Sequence, residues 1–438
     1  MILHSTNRSA PQVSLPQAAA CGIAPDGGLY LPDSLPRLPK AFFNNMAEMS
    51  LREVAYVVAN SLFGSLLSSG DLKMVVDDAL DFKIPLRRVA GNRYVLELFH
   101  GPTHSYKDVG SRFMARLLPL MSPVGQGGRD IIVATSSGDS GWAVADGFLH
   151  EPSTRVFVLF PKEGLTRQQV ALFATMRNVV AVEVDGTFDD CQRLAVEALR
   201  LSADSASGRP LTSGNSINPA RQLPSIIYYF HAYASALREN PSAGEIVVSV
   251  PCGNLGNLAA GLMAKRMGLP VRRFVAVNNV NNEFAEYLRT GGFRPRKALM
   301  TIARAMDVGN PSNIARIIDL YGGCLERLRE DVEGRSLDDG EIAAAMREVY
   351  GSTGYVLDPQ GAAAFRALDG ALLPGETGIA LSGAAPGLDA DTVERVLGVR
   401  PRLPRVADWG NYRRSQSAQK IPATQSALQR VLSIHQNN

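Results

Sequence analysis

Beyond residue 93 the chain alternates between short, almost wholly apolar runs and longer stretches with helical periodicity. The runs Tyr94-Val95-Leu96-Glu97-Leu98, Ile131-Ile132-Val133-Ala134, Val156-Phe157-Val158-Leu159-Phe160, residues 179–184, residues 246–250 and Phe274-Val275-Ala276-Val277 lack the polar alternation of a half-exposed strand. Strands of that composition are covered on both faces, and the helical stretches between them supply the cover. The pattern predicts an α/β fold with parallel sheets, and the strands are numerous enough for two. In such sheets ligands gather at the carboxyl ends of strands, so chemistry is sought in the loops that follow them. The first 90 or so residues read differently. Turn signals at Pro25-Asp26-Gly27-Gly28, Pro32, Pro36 and Pro39 precede helical periodicity over residues 50–69, which predicts a small N-terminal helical region. From about Pro401 the chain turns polar, which predicts a loosely packed tail ending in one helix over residues 425–434. No internal repeat is visible.

A chain of 438 residues exceeds one ordinary core. The expected division is an N-terminal region (1–92), a core (93–400) with a smaller subdomain inserted at about 128–212, and the tail (401–438). Hydrophobic residues make up 45% and charged residues 20%, as in globular proteins. The 45 basic and 42 acidic side chains are well mixed and form no basic stripe, which argues against nucleic acid or an anionic membrane as partner. Cys21, Cys191, Cys252 and Cys324 have no metal-ligand spacing, so neither a metal site nor a disulfide framework is expected. The opening MILHSTNRSAPQ has no apolar signal segment, and no run reaches the roughly 18 apolar residues of a membrane span. A cytoplasmic enzyme, monomer or homodimer, fits these features.

Four loops after apolar runs carry chemistry. The first is Phe99-His100-Gly101-Pro102-Thr103-His104-Ser105-Tyr106-Lys107-Asp108, with a helical pattern over 109–118 behind it. It sets one lysine in a tight loop among small and aromatic residues. Partial dehydration there favours the neutral amine, the form that attacks an aldehyde, so Lys107 is the candidate Schiff-base residue. The second is Pro251-Cys252-Gly253-Asn254-Leu255-Gly256-Asn257, between a strand and a helical pattern over 258–267. Strand, glycine-rich turn and helix together present unpaired N–H groups to a phosphate. The third, Ala134-Thr135-Ser136-Ser137-Gly138-Asp139-Ser140-Gly141, puts hydroxyls and a carboxylate at a helix start, where they also serve as caps. The fourth, Ser213-Gly214-Asn215-Ser216-Ile217-Asn218-Pro219-Ala220-Arg221, contains an arginine whose planar fork matches phosphate oxygens.

These strings resemble the threonine synthase family, pyridoxal-phosphate enzymes of fold type II. FHGPTHSYKD matches the family's lysine motif nearly residue for residue. Residues 253–257 resemble its GNFGN loop, and 135–141 its TSGDTG loop with one extra serine and Ser140 in place of threonine. Residues 215–221 resemble its NSxNxxR segment, and 5–11 (STNRSAP) with 22–32 (GIAPDGGLYLP) resemble its N-terminal signature. Residues 305–313 and 162–166 are family-like too, without assigning roles. The resemblance covers nearly all of residues 2–390. It implies a tryptophan-synthase-β-like fold of two parallel-sheet domains and pyridoxal 5'-phosphate as cofactor. The implied activity is that of a carbon–oxygen lyase acting on phosphates in threonine biosynthesis, converting O-phosphohomoserine and water to threonine and phosphate by γ-elimination and β-addition.

The resemblance also implies roles. Lys107 carries the cofactor and moves protons. Gly253, Asn254, Leu255, Gly256 and Asn257 hold the cofactor phosphate, Asp139 bonds its ring hydroxyl, and Ser382 in Ala380-Leu381-Ser382-Gly383 meets its ring nitrogen. Thr135, Ser136, Ser137 and Ser140 receive the substrate carboxylate, and Asn215, Ser216, Asn218 and Arg221 its phosphate. Two positions depart from the family pattern. Asp358-Pro359-Gln360 stands where many relatives read DPH, and Gly383-Ala384-Ala385-Pro386 where many read TAHP, so Gln360 and Ala385 replace histidines. Those departures bear on water addition. The alternatives are a phospho-lyase that stops at elimination and a γ-replacement enzyme for a related phospho- or phosphono-amino acid. A non-catalytic amino-acid-binding paralogue is a third, against which Lys107, Asp139 and the glycine loop argue.

Overall fold

The computed structural model describes residues 1–123, 128–151, 154–203, 209–241, 244–403 and 418–436. Two sheets organise the chain. The larger runs in the order Val332–Ser336, Val271–Asn278, Ile246–Pro251, Thr377–Ser382, Arg93–Glu97 and Leu86–Ala90. Its strands are parallel except Leu86–Ala90, which pairs antiparallel with Arg93–Glu97. The smaller runs Gln419–Pro422, Val179–Asp185, Thr154–Pro161, Arg129–Ala134 and Leu211–Ser213, all parallel.

The uninterrupted apolar runs follow from burial on both faces. Alternate residues of one strand enter different cores. Val247 and Val275 pack with Ile342, Met346 and Phe365 on one side of the larger sheet, while Val248 and Phe274 pack with Phe230, Leu258 and Leu262 on the other. In the smaller sheet, Ile131, Val133 and Val158 join Trp142 and Phe173, and Ile132, Phe157 and Leu159 join Leu194 and Leu428.

The chain ends differ from their sequence reading. The N-terminal region is not purely helical. Ile2–Ser5 pairs antiparallel with Val13–Ser14 and Tyr30–Pro32 in a small sheet, ahead of the helices Leu51–Phe63 and Ser69–Ala79. Buried His4 anchors this sheet between Asp33, 2.6 Å away, and Asp319, 2.5 Å away. The tail is structured after the segment 404–417, which lies outside the described residues. Gln419–Pro422 adds an edge strand to the smaller sheet, and the helix Gln425–Gln436 packs over helix Phe188–Ala203. Among the described residues no helix is long and apolar enough to cross a membrane.

Candidate active site

The carboxyl ends of five strands open on one cavity. It is lined by residues that follow Arg93–Glu97 (Tyr106, Lys107), Arg129–Ala134 (Ser136, Asp139, Ser140), Leu211–Ser213 (Gly214, Asn215, Ser216, Arg221), Ile246–Pro251 (Gly253 to Asn257) and Thr377–Ser382 (Gly383, Ala384).

Lys107 is not in the loop but is the first residue of the helix Lys107–Met121, with Tyr106 at the cap position. The bend before it is built on Asp108. This buried carboxyl accepts from the Thr103 amide at 3.0 Å and the Thr103 hydroxyl at 2.5 Å. Burial pushes Asp108 up to about 7, with the Thr103 hydrogen bonds opposing it. His104 takes a left-handed φ of 56°, and its carbonyl accepts from the Ala385 amide at 2.9 Å. The Tyr106 amide donates to the Gly383 carbonyl at 2.8 Å, so the bend is tied to the end of the neighbouring strand. Lys107 Nζ then lies 3.2 Å from Asp139 Oδ2, and each side chain is only about one-tenth exposed. Asp139 opens the helix Asp139–Gly147 behind Gly138, whose φ is 90°. Ser136 and Ser140 line the cavity. Thr135 and Ser137 are buried outside its lining; the Thr135 hydroxyl accepts from the Gly138 amide at 3.0 Å.

The glycine loop presents donors. The Cys252 amide is the last to pair with the sheet, bonding Val277 O at 2.7 Å, and pairing resumes at Ala259. Between them the amides of 253–257 meet no acceptor among the described residues. Leu255 holds a left-handed φ of 58°, a conformation that costs a non-glycine residue energy and marks an over-determined backbone. The glycines are needed for close approach to protein rather than for space inside the loop. A Cβ at Gly253 would lie 2.5 Å from Ala305 O, and one at Gly256 would lie 2.8 Å from Ser216 Oγ. Asn257 anchors the loop's far end, accepting from the Tyr228 and Tyr229 hydroxyls at 2.7 Å each.

The four residues proposed for the substrate phosphate divide. Asn215 lines the cavity, but its amide pins the backbone of Ala134, accepting from N at 2.9 Å and donating to O at 2.8 Å. Asn218 is buried outside the lining. It caps the short helix Pro219–Gln222 and donates to Ala19 O and Thr212 Oγ1. Ser216 and Arg221 both line the cavity. The Arg221 guanidinium is buried and makes no hydrogen bond or ion pair among the described residues; its Nε is wholly without a partner. It lies over Gly110, where any side chain would collide with it. Burial draws its pKa down. An unpaired buried cation is costly, so an arginine kept there implies an anion.

Ser382 is buried just outside the lining and donates to Asp358 Oδ1 at 2.8 Å. Burial pushes Asp358 up to about 6, and its second oxygen has no partner. Of the two departures, Gln360 lines the cavity with an unpartnered Oε1, whereas Ala385 does not line it. Phe188, Gln222, Ser225, Met306 and Val308 also line the cavity. None was singled out from sequence for a role. Met306 and Val308 lie in the family-like string 305–313, which was the one available signal for them. Unpaired amides, a buried amine and a nearby carboxylate together fit a phosphorylated aldehyde cofactor.

Comparison with known proteins gives the same picture. Residues 84–383 match the pyridoxal-phosphate dependent enzyme family, and residues 3–80 match the threonine synthase N terminus. The chain is 37% identical to threonine synthase of Haemophilus influenzae over 94% of this chain and 95% of that one. Against threonine synthase of Escherichia coli it is 35% identical over the full length of both. The crystal structure of the Escherichia coli protein superposes with a TM-score of 0.91 at 34% identity, covering 100% of each chain. That of pyridoxal-phosphate-bound threonine synthase from Brucella melitensis superposes at 0.88 and 29% identity, again over 100% of each.

Proposed function

The chain belongs to the threonine synthase family of pyridoxal-phosphate lyases, and we propose that its cavity carries out that family's reaction, in which O-phosphohomoserine and water give threonine and inorganic phosphate. One observation carries the reading. A single cavity combines the unpaired amides of 253–257, the unpaired Arg221 guanidinium and the Lys107 amine. Two separate anion sites beside one amine suit a phosphorylated cofactor and a phosphorylated substrate bound together.

In this reading the 253–257 amides hold the cofactor phosphate. Asp139, which pairs with Lys107, would bond the cofactor's ring hydroxyl, and Ser382, backed by Asp358, would stand by its ring nitrogen. When bound, the cofactor supplies an electron sink that makes protons next to the amino-acid carbon removable. Lys107 moves those protons at Cα and Cβ. Ser136 and Ser140 orient the substrate carboxylate. Arg221 and Ser216 hold the phosphate that departs from Cγ with its bonding electron pair; a proton is then delivered to Cγ, which becomes the methyl group, and the hydroxyl of water adds at Cβ as Cα regains its proton. The unpartnered amide oxygen of Gln360 is fit to hold that water. Asn215 and Asn218 act one step back, fixing the loop that carries Ser216 and Arg221. Well-mixed charge supports a protein without a nucleic-acid partner, and the reading is completed by a cytoplasmic monomer or homodimer.

The test is incubation with O-phosphohomoserine while phosphate, threonine and 2-oxobutyrate are measured together. Threonine equal to phosphate supports the reading. Phosphate matched by 2-oxobutyrate means that the protein stops at elimination.

A further inference from the structure

Asn313 stands at the cap position of the helix Ile314–Leu320, yet it makes no capping hydrogen bond. Its side chain is spent elsewhere. Nδ2 donates to Asn254 O in the glycine loop at 2.9 Å and contacts Ser216 Oγ at 3.0 Å. Oδ1 accepts from Arg316 Nη1 at 2.7 Å. Arg316 in turn donates to Ser216 O, to Ile217 O and, at 3.0 Å, to Tyr30 O. Both side chains are essentially fully buried, at 0% and 1% exposure. All the acceptors of Arg316 are uncharged. Burial draws its pKa down to about 9, which leaves it a cation at neutral pH. Neither residue lines the cavity.

This arrangement is more than a local cap. Two segments about 40 residues apart in sequence, each bearing one of the proposed anion sites, are bridged by one buried amide, beside the direct bond of Gln222 Nε2 to Gly256 O at 2.6 Å. A Cβ at Gly256 would already touch Ser216, so the two loops meet with no slack. We propose that Asn313 and Arg316 are positioning residues that lock the cofactor loop to the substrate-phosphate segment, so that the placement of one phosphate depends on that of the other. The inference rests on the reading of these loops given above. It predicts coupling: loss of the lock loosens both anion sites, although neither residue touches a ligand. Each site then loses the order that its donors need, since a few displaced hydrogen bonds are enough to weaken binding by an order of magnitude.

The test uses Asn313→Ala and Arg316→Lys in the full-length protein, with Arg221→Ala, whose side chain lines the cavity outside the lock, for contrast. Pyridoxal phosphate affinity is measured by fluorescence titration of the apoprotein, and inorganic phosphate affinity by its competition with O-phosphohomoserine. Either of the first two variants should weaken both affinities, each on the order of tenfold. Arg221→Ala should weaken the phosphate competition alone. If Asn313→Ala and Arg316→Lys lower the unfolding temperature but leave both affinities as in the wild type, or shift only one, the lock does not exist. Wild-type protein that fails to bind pyridoxal phosphate, or is not inhibited by phosphate, would instead overturn the reading of the site itself.

Discussion

The cavity's two proposed phosphate sites are built by opposite means. The loop at 253–257 offers backbone amides, held by a left-handed Leu255 and anchored by Tyr228 and Tyr229. It contains no charged side chain. The segment at 213–221 offers one guanidinium and one hydroxyl, while its two asparagines are consumed by backbone at Ala134, Ala19 and Ala220. A cradle of fixed dipoles suits a group that stays for many turnovers, because it costs no reorganisation. A side chain left unpaired until its ligand arrives suits a group that must depart as a product. The difference teaches that counting asparagines and serines near a phosphate site misleads unless their partners are known.

Removing the amine both sites serve should have the largest effect. Lys107→Ala should end turnover and leave no cofactor that borohydride can fix to the protein, with the fold intact. A borohydride-fixed adduct in that variant would mean another lysine carries the cofactor. Arg221→Ala comes next. Truncating one partner of a buried charge pair costs roughly 2–5 kcal/mol. That should appear as a higher KM for the phosphorylated substrate, with pyridoxal phosphate affinity left nearly unchanged. Equal losses of both ligands would erase the distinction between the sites.

A smaller effect is expected from Gly256→Val. The added side chain meets Ser216 before it meets any ligand, so both affinities should fall together by on the order of tenfold, as expected when a few hydrogen bonds are strained. A loss confined to pyridoxal phosphate would place the crowding inside the cofactor loop instead. The smallest effect concerns Asp108. Its folded pKa, about 7, lies above the ordinary carboxyl value near 3.8. The folded state therefore binds the extra proton, and this contribution is full below about pH 4 and lost as pH rises through 7. Relative to Asp108→Asn, the wild type should lose unfolding temperature steadily between about pH 4 and pH 7 and level off above that. A difference that does not change with pH would show that Asp108 is already ionised at pH 5.

The central strands were legible because their runs are unbroken, and unbroken runs mean burial on both faces. Edge strands were not. Val332–Ser336 reads Val-Glu-Gly-Arg-Ser, and Gln419–Pro422, the edge of the smaller sheet, is similarly short and polar. Such segments are strands because a neighbour's edge accepts them, which no local pattern announces. The lysine and glycine loops were legible because strand, turn and helix follow in order. The start of the helix at Lys107 was not, since Gly101, Pro102 and Ser105 read as loop and the buried Asp108 that organises them gives no signal of its own. Asn218 shows the same limit: its caps and carbonyl partners lie up to 199 residues away. Arg316 was invisible for the same reason, as Tyr30, Ser216 and Ile217 are distant in sequence and contribute only carbonyls.

The claim that one cavity holds two phosphates at once is tested most directly with the unmodified holoenzyme and inorganic phosphate. Phosphate should compete with O-phosphohomoserine, raising its apparent KM, while the bound cofactor stays in place as judged by its absorbance after gel filtration. Phosphate that strips the cofactor without competing with substrate, or that does neither, would contradict the account.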